Sequence, residues 1–136
     1  MRRCLVETGF LLALNPKDRN HEWALRLLRN AKHGVCMVHI SPAAPIELSL
    51  IMKSRGYSDE AIAETLAAME EAIMLYTRPS FAALRLDHLQ LAARLRSKYP
   101  ELTFFDSIHA AIAIMDNYEY ADLDPVIVKI VSEGKD

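Results

Sequence analysis

The chain lacks the features of several common protein classes. Its two cysteines, Cys4 and Cys36, are too few for a disulfide framework, and no paired cysteine and histidine spacing suggests a zinc site. No apolar run approaches the length of a membrane-spanning helix. Arg2 and Arg3 precede an apolar segment as in a signal peptide, but Glu7 interrupts that segment and no small-residue cleavage site follows. We therefore expect buried free thiols and a protein of the reducing cytoplasm.

Signatures of several catalytic chemistries are also missing. The chain has only four glycines and no glycine-rich phosphate loop, and it has neither a serine-centred nucleophile elbow nor a Cys–His pair in a recognisable setting. The formal net charge of −2 argues against a large nonspecific nucleic-acid surface but allows local basic strips. One such strip contains Arg94, Arg96 and Lys98, although a solvated helix face is the simpler explanation for it.

What is present fits a globular α/β protein. The 136 residues are 51% hydrophobic and 25% charged, and we expect a single domain over residues 1–136. Segments that favour strands alternate with segments of helical periodicity, which predicts a parallel sheet flanked by helices. The strands are expected over 2–6, 35–40 and 118–121, with 74–77 compatible with a very short one. The helices are expected over 10–14, 18–31, 41–56, 58–74, 80–98 and from 106 onward, and 126–131 fits either type.

Three carboxylates interrupt apolar segments of the chain. Glu7 separates two apolar stretches near the N-terminus, Glu47 lies within an apolar helix, and Asp106 opens the most apolar helix. An ionised carboxylate among apolar side chains costs several kcal/mol unless a partner compensates it. Either each acid has its own cap or ion pair, or all three share one cation.

Each of these acids has a simpler explanation. Asp106 at the start of a helix would accept a backbone N–H, which contributes about 1 kcal/mol. Glu47 lies too far into its helix to cap it, but Lys53 or Arg3 would serve as an ion-pair partner. Glu7 would be an exposed residue at the end of a strand. The sequence alone leaves these alternatives open.

The predicted topology favours a shared cation. Ligands of parallel sheets bind beyond the carboxyl ends of the strands, where Glu7 lies, and the helices that carry Glu47 and Asp106 are expected to flank that edge. Two further acids, Asp122 and Asp124, lie just before Pro125 in a segment whose composition predicts a turn. Carboxylates without a cysteine or histidine partner select hard ions such as Mg²⁺ or Mn²⁺. Such an ion would lower the pKa of a water and neutralise a scissile phosphate, which suits phosphodiester hydrolysis.

Polar side chains accompany the acids. His109, one helical turn after Asp106, is a candidate general base, although a histidine among apolar residues is more often a packed or hydrogen-bonded core residue. Thr8 and Ser107 would contact a water or orient a carboxylate. Both roles of His109 stay open at this point.

The order of these motifs resembles the PIN-domain family over essentially the whole chain. The segment 5–12, Leu-Val-Glu-Thr-Gly-Phe-Leu-Leu, is similar to the opening of PIN domains, where a strand ends in an acid followed by Thr or Ser. The segment 41–47 resembles the second motif, a helix that starts with Ser and carries Glu. The segment 105–113, Phe-Asp-Ser-Ile-His-Ala-Ala-Ile-Ala, resembles the third and most specific motif. Asp124 falls where the fourth family acid lies.

The resemblance implies a three-layer α/β/α fold with a central parallel sheet and a Mg²⁺- or Mn²⁺-dependent endoribonuclease. Carried over by position, Glu7, Glu47, Asp106 and Asp124 would be both catalytic residues and metal ligands. Many small members resemble VapC-type toxins, which are paired with an antitoxin protein and commonly form homodimers. The implied reaction is attack of water on an RNA phosphodiester, which leaves a 5′-phosphate.

The chain departs from the family pattern at two positions. The first acid is normally Asp, and the extra methylene of Glu7 moves the carboxylate by more than about 1 Å, a shift to which active sites are sensitive. Asp122 competes with Asp124 for the fourth position, and the Thr or Ser that usually precedes that acid is missing. The alternatives are a catalytically weak PIN-like module that binds RNA or protein, and a structural subunit of an oligomer.

Overall fold

A computed structural model describes residues 2–136 of the chain. Within this range, three strands and seven helices alternate as expected for an α/β fold. The strands are β1 (Arg2–Val6), β2 (Cys36–Ile40) and β3 (Glu119–Tyr120). The helices are α1 (Thr8–Ala13), α2 (His21–Lys32), α3 (Ala43–Ser54), α4 (Asp59–Met74), α5 (Leu86–Lys98), α6 (Phe104–Met115) and α7 (Pro125–Lys135).

The sheet has β1 in its centre, with β2 and β3 parallel to it on either side. Val6 pairs with Ile40 of β2, and Leu5 pairs with Tyr120 of β3. The chain therefore passes from one side of β1 to the other between β2 and β3, which creates a switch point at the carboxyl end of β1. Ligands of parallel sheets bind at such a point.

Helices cover both faces of the sheet. Side chains alternate along β1, so Cys4 and Val6 pack on one face with residues of α1 to α4, while Leu5 packs on the other face with residues of α5 to α7. This arrangement confirms the three-layer α/β/α fold with a central parallel sheet. Cys4 and Cys36 are buried free thiols, as the sequence predicts.

Helix α6 lies in the interior because it is apolar on nearly every side. Every residue from 107 to 113 is buried, and the helix packs against α3, α5 and α7. It begins at Phe104, and Thr103 is its N-cap, with a hydroxyl that accepts the backbone N–H of Asp106 at 3.2 Å. The prediction that Asp106 itself begins the helix is wrong, because the threonine supplies the cap. The Asp106 carboxylate is therefore not needed at the helix terminus.

The segment before α5 also differs from the prediction. The sequence predicts a helix from 80 onward, but α5 begins at Leu86. The Ile40 N–H donates instead to the Ser80 carbonyl at 2.8 Å, and the Ala82 N–H donates to the Ile40 carbonyl at 3.0 Å. These bonds pair backbone groups at the edge of β2 that a helix over 80–85 would leave unpaired.

Two shorter segments are decided by local hydrogen bonds. The segment 74–77 forms no strand, because the N–H groups of Tyr76 and Thr77 donate back to the Ile73 carbonyl in a turn. The segment 126–131 lies in helix α7, whose start is fixed by Asp124 at the N-cap and by Pro125 in the first turn.

In the described part of the chain, no helix has the length and apolar character to cross a membrane.

Candidate metal centre

Glu7 occupies the switch point at the end of β1. It is the N-cap of α1, where its Oε1 accepts the backbone N–H of Gly9 at 2.7 Å, and the residue is 8% exposed. Burial, together with the charges of Asp122, Glu47 and Asp106, raises the pKa of Glu7 to about 8 against the opposing hydrogen bond from Gly9. Ionisation of this carboxyl near neutral pH is therefore costly unless a cation compensates it.

Gly9 makes room for the Glu7 carboxylate. A Cβ atom at position 9 would lie 2.6 Å from Glu7 Oε1, closer than a carbon and an oxygen approach without a bond. The glycine therefore allows the carboxylate to fold back over the first turn of α1. The sequence predicts a turn at Thr8 and Gly9, but both residues lie in the first turn of α1.

The Glu47 carboxylate is held by two donors on one of its oxygens. Its Oε1 accepts the Thr8 hydroxyl at 2.5 Å and the His109 Nε2–H at 3.1 Å. Burial acts to raise the pKa of Glu47, but the hydrogen bonds from His109 and Thr8 hold that pKa below its ordinary value. Among residues 2–136, no donor contacts Oε2. Glu47 is therefore an ionised and oriented carboxylate with one oxygen left for a further ligand.

The ion-pair partners considered for Glu47 lie elsewhere. Lys53 pairs with Asp59 at 2.7 Å, and the Arg3 guanidinium lies 4.3 Å from the centre of the Tyr118 ring. A surface ion pair therefore does not explain why Glu47 sits in an apolar helix.

His109 connects Glu47 to the end of β2. The ring is fully buried on α6, and its Nδ1 lies 2.6 Å from the Ser41 Oγ. Because Glu47 is ionised, we assign the ring proton to Nε2, and the Ser41 hydroxyl then donates to Nδ1. Of the two roles considered for His109, general base and hydrogen-bonded core residue, the structure supports the second. Its hydrogen bond orients Glu47.

The Glu7 and Glu47 carboxylates converge at the switch point, where His109 contacts Glu47. One ligand atom from each residue lies within 4.8 Å of the others. Ligands held at about 2.0–2.6 Å from one hard cation lie at such separations from each other. The topology therefore brings the first two sequence-predicted acids together at the edge where the sequence predicts them.

Asp106 lies beside this group in the first turn of α6 and is half-buried. Its charge contributes to the raised pKa of both Glu7 and Asp122, so the three carboxylates are neighbours. In the described part of the chain its carboxylate accepts no hydrogen bond, because Thr103 caps the helix. Asp106 is not among the described residues whose ligand atoms lie within 4.8 Å of one another, so its carboxylate borders the group formed by Glu7 and Glu47.

The strand register distinguishes Asp122 from Asp124. Because Leu5 pairs with Tyr120, the register continued by two residues brings Asp122 alongside Glu7. Burial and the charges of Asp124 and Asp106 raise the pKa of Asp122, against the N–H groups that its side chain accepts. The exposed Asp124 instead caps α7 by accepting the Val126 N–H at 2.9 Å.

Tyr120 belongs to the site although the sequence analysis did not select it. The residue is 7% exposed, and its hydroxyl has no hydrogen-bond partner among residues 2–136. Burial raises its pKa well above the ordinary value, and the charges of Glu7, Asp122 and Asp106, with that of Glu47, add to the rise. A signal was available, because alternation along a strand places Tyr120 on the same side as Asp122.

These residues fit a hard divalent cation. The cluster consists mainly of carboxylate oxygens, the ligands that Mg²⁺ and Mn²⁺ prefer. Two of its groups are uncompensated: Glu7 resists ionisation, and the buried Tyr120 hydroxyl has no partner in the described residues. A cation would favour the ionised form of Glu7, and its hydration water would be a partner for the hydroxyl.

Clustered carboxylates at the switch point of a parallel α/β sheet define a candidate metal-binding site. The sequence model described as PIN domain matches residues 4–130, and the chain belongs to the PIN-domain family. Members of this family are generally nucleases and usually need a divalent metal. A search of curated proteins found no match to the chain.

Proposed function

We propose that the chain is a metal-dependent endoribonuclease that hydrolyses RNA phosphodiester bonds, formed by one PIN-like domain over residues 1–136. The observation that carries the proposal is the approach of a Glu7 carboxylate oxygen to within 4.8 Å of a Glu47 carboxylate oxygen, with His109 holding Glu47 in place. The raised pKa of Glu7 supports it, because a cation would favour the ionised carboxylate that burial disfavours.

Glu7, Glu47 and Asp106 would hold Mg²⁺ or Mn²⁺, with Asp122 or Asp124 as the fourth acid. Bound there, the ion would supply Lewis-acid chemistry, lowering the pKa of a water and neutralising charge on the scissile phosphate. The register favours Asp122 as the fourth acid, because the Asp124 carboxylate already caps a helix.

Polar side chains around the acids orient a ligand oxygen of the proposed site and offer it a hydrogen-bond donor. Thr8 and His109 fix Oε1 of Glu47, so that Oε2 is oriented before any ligand binds and little side-chain entropy is lost on binding. The Tyr120 hydroxyl keeps its proton, because burial and the surrounding acids disfavour its ionisation. It therefore remains a donor to a water or to a phosphate oxygen.

The direct test is RNA cleavage with Mn²⁺ by the wild type and by Asp106→Asn. We expect wild-type products with 5′-phosphates and a rate reduced by about 100-fold or more in the variant, because it loses a negative charge at the site. Asp59→Asn is the matched control, since Asp59 is an exposed acid paired with Lys53. Equal cleavage by Asp106→Asn and the control would contradict the assigned role.

A second candidate function is a PIN-like module that binds RNA or protein with weak or no catalysis. Glu7 favours it, because this residue is longer than the usual Asp and its Oε1 is committed to the Gly9 N–H. Glu7→Asp separates the candidates. A gain of about tenfold or more in cleavage or in Mn²⁺ affinity would indicate a weakened site, whereas a loss would indicate a site built around glutamate. Loss of Mn²⁺ binding in Glu47→Gln would argue against a purely structural subunit.

We further propose that the chain is the toxin of a toxin–antitoxin pair and acts as a cytoplasmic homodimer. Two exposed apolar side chains, Ile46 and Leu50, lie four residues apart on α3 and so share a face of that helix, which supports an interaction surface. Growth arrest that depends on Asp106 tests the toxin, and light scattering of the purified chain tests the dimer. Normal growth on expression, or a monomer at micromolar concentration, would contradict the respective proposal.

A further inference from the structure

We propose that Phe104 and Arg96 form a platform that stacks one unpaired base of single-stranded RNA and binds the adjoining phosphate, at the end of α6 that also carries Asp106. The inference rests on the proposed function and specifies how that site would hold its substrate. It is carried by an exposed aromatic ring and by a fixed cation without an acidic partner.

Phe104 is an aromatic residue with no place in the core. It is the first residue of α6 and is 58% exposed, although α6 is otherwise the most buried helix of the fold. Asp106 lies in the same first turn of α6, but two residues further along, so its side chain leaves the helix about 200° around the axis from Phe104. The half-buried Phe105 packs against the Phe104 ring in a T-shaped pair, with ring centres 5.6 Å apart and planes at 87°. The ring is therefore held in place and presented to solvent at the same end of α6 as Asp106.

Arg96 is held against this ring. Its guanidinium, from the last turn of α5, lies 4.6 Å from the centre of the Phe104 ring. Its Nη1 donates to the buried Ser107 Oγ at 2.7 Å, and that hydroxyl donates to the Phe104 carbonyl at 2.6 Å. Cation–π contact and hydrogen bond together fix the orientation of the guanidinium.

The charge of Arg96 is not neutralised by the protein. Across residues 2–136, no carboxylate lies within ion-pair distance of Arg96, Arg94 or Lys98. Arg94 and Lys98 are exposed on the same end of α5. A chain with a formal net charge of −2 and clustered acids would otherwise repel RNA, so cations are needed beside the site. The remaining N–H donors of Arg96 suit a phosphate, which guanidinium groups bind in a forked geometry.

An exposed aromatic ring beside a fixed cation is the combination with which proteins bind single-stranded nucleic acid. Bases stack on aromatic side chains with little dependence on sequence, while cations follow the backbone. One face of the Phe104 ring is covered by Arg96, and the exposure of the residue leaves surface for a base. The platform would therefore hold a nucleotide at this end of α6 without selecting its base.

The test measures binding rather than cleavage. Wild-type protein and variants are titrated into single-stranded RNA labelled with 2-aminopurine, in EDTA, and anisotropy and base fluorescence are recorded. We expect Phe104→Leu to weaken binding by between about 5-fold and 150-fold and to abolish the fluorescence change caused by stacking. Phe104→Trp should retain both signals. Arg96→Gln should weaken binding and lower the slope of log affinity against log salt by about 0.7.

Tyr57→Leu is the matched control, because Tyr57 is 51% exposed and lies in the turn between α3 and α4. It should bind RNA like the wild type. If Phe104→Leu also binds like the wild type, or if the wild type does not bind the RNA, the platform is refuted. Because the assay measures binding, the platform can be confirmed even if the protein does not hydrolyse RNA. If Phe104→Leu binds and cleaves RNA like the wild type, the platform is refuted but the proposed hydrolysis is not.

Discussion

The stability of the metal-free protein at different pH values tests whether burial raises the pKa of Glu7. The pKa of this carboxyl rises from 4.5 to about 8 in the folded chain, mainly because of burial. Below pH 4.5 the group is neutral whether the chain is folded or not. As the pH rises towards 8, the unfolded chain loses the proton and the folded chain keeps it, so the folded state becomes less stable.

The size of the effect follows from the two pKa values. One pH unit between them is worth about 1.36 kcal/mol, which gives an upper figure of about 5 kcal/mol for the loss of stability. Glu7→Gln removes the ionisable group, and its amide oxygen still accepts the Gly9 N–H that the carboxylate accepts. We therefore expect the variant to be more stable than the wild type at pH 9 by about 2–5 kcal/mol, and similar to it at pH 5.

The assay is urea denaturation of both chains in EDTA at pH 5 and pH 9. The difference between the chains isolates Glu7, because all other groups titrate in both. Mn²⁺ at about 100 times its dissociation constant should restore about 2.7 kcal/mol to the wild type at the higher pH, and little to the variant. If the free energies of unfolding of the two chains in EDTA differed by the same amount at pH 5 and pH 9, the raised pKa of Glu7 would be refuted.

Three other substitutions probe the same site. Gly9→Ala should keep the fold but weaken Mn²⁺ binding by about tenfold in calorimetry, because the new methyl would lie 2.6 Å from Glu7 Oε1. His109→Ala should lower the free energy of unfolding by about 1–3 kcal/mol, because it removes the donor to Glu47; an unchanged urea midpoint would contradict this. Tyr120→Phe should leave the metal-free stability unchanged or raise it by about 1 kcal/mol, since the hydroxyl has no partner in the described residues, yet slow cleavage with Mn²⁺.

Local sequence patterns predict the helices and strands whose apolar residues recur with a clear period or whose ends carry capping residues. The apolar strand before Glu7, the helix capped by Ser58 and the apolar helix around His109 follow from composition and capping residues. The acids were found for the same reason, because an ionised side chain within an apolar pattern is visible without a structure. The segment 80–85 could not be predicted in this way, since its conformation depends on pairing with Ile40, far away in sequence.

The sequence by itself determined the fold class and the carboxylates that enter the candidate site. Only the tertiary structure decided how they are arranged. Strand register brings Asp122, rather than the helix-capping Asp124, alongside Glu7, and the same register buries the Tyr120 hydroxyl among the acids. Apolar periodicity is a property of neighbouring residues and can be read locally. Register and the hydrogen bonds of His109 join segments distant in the chain, so they exist only once the layers have packed.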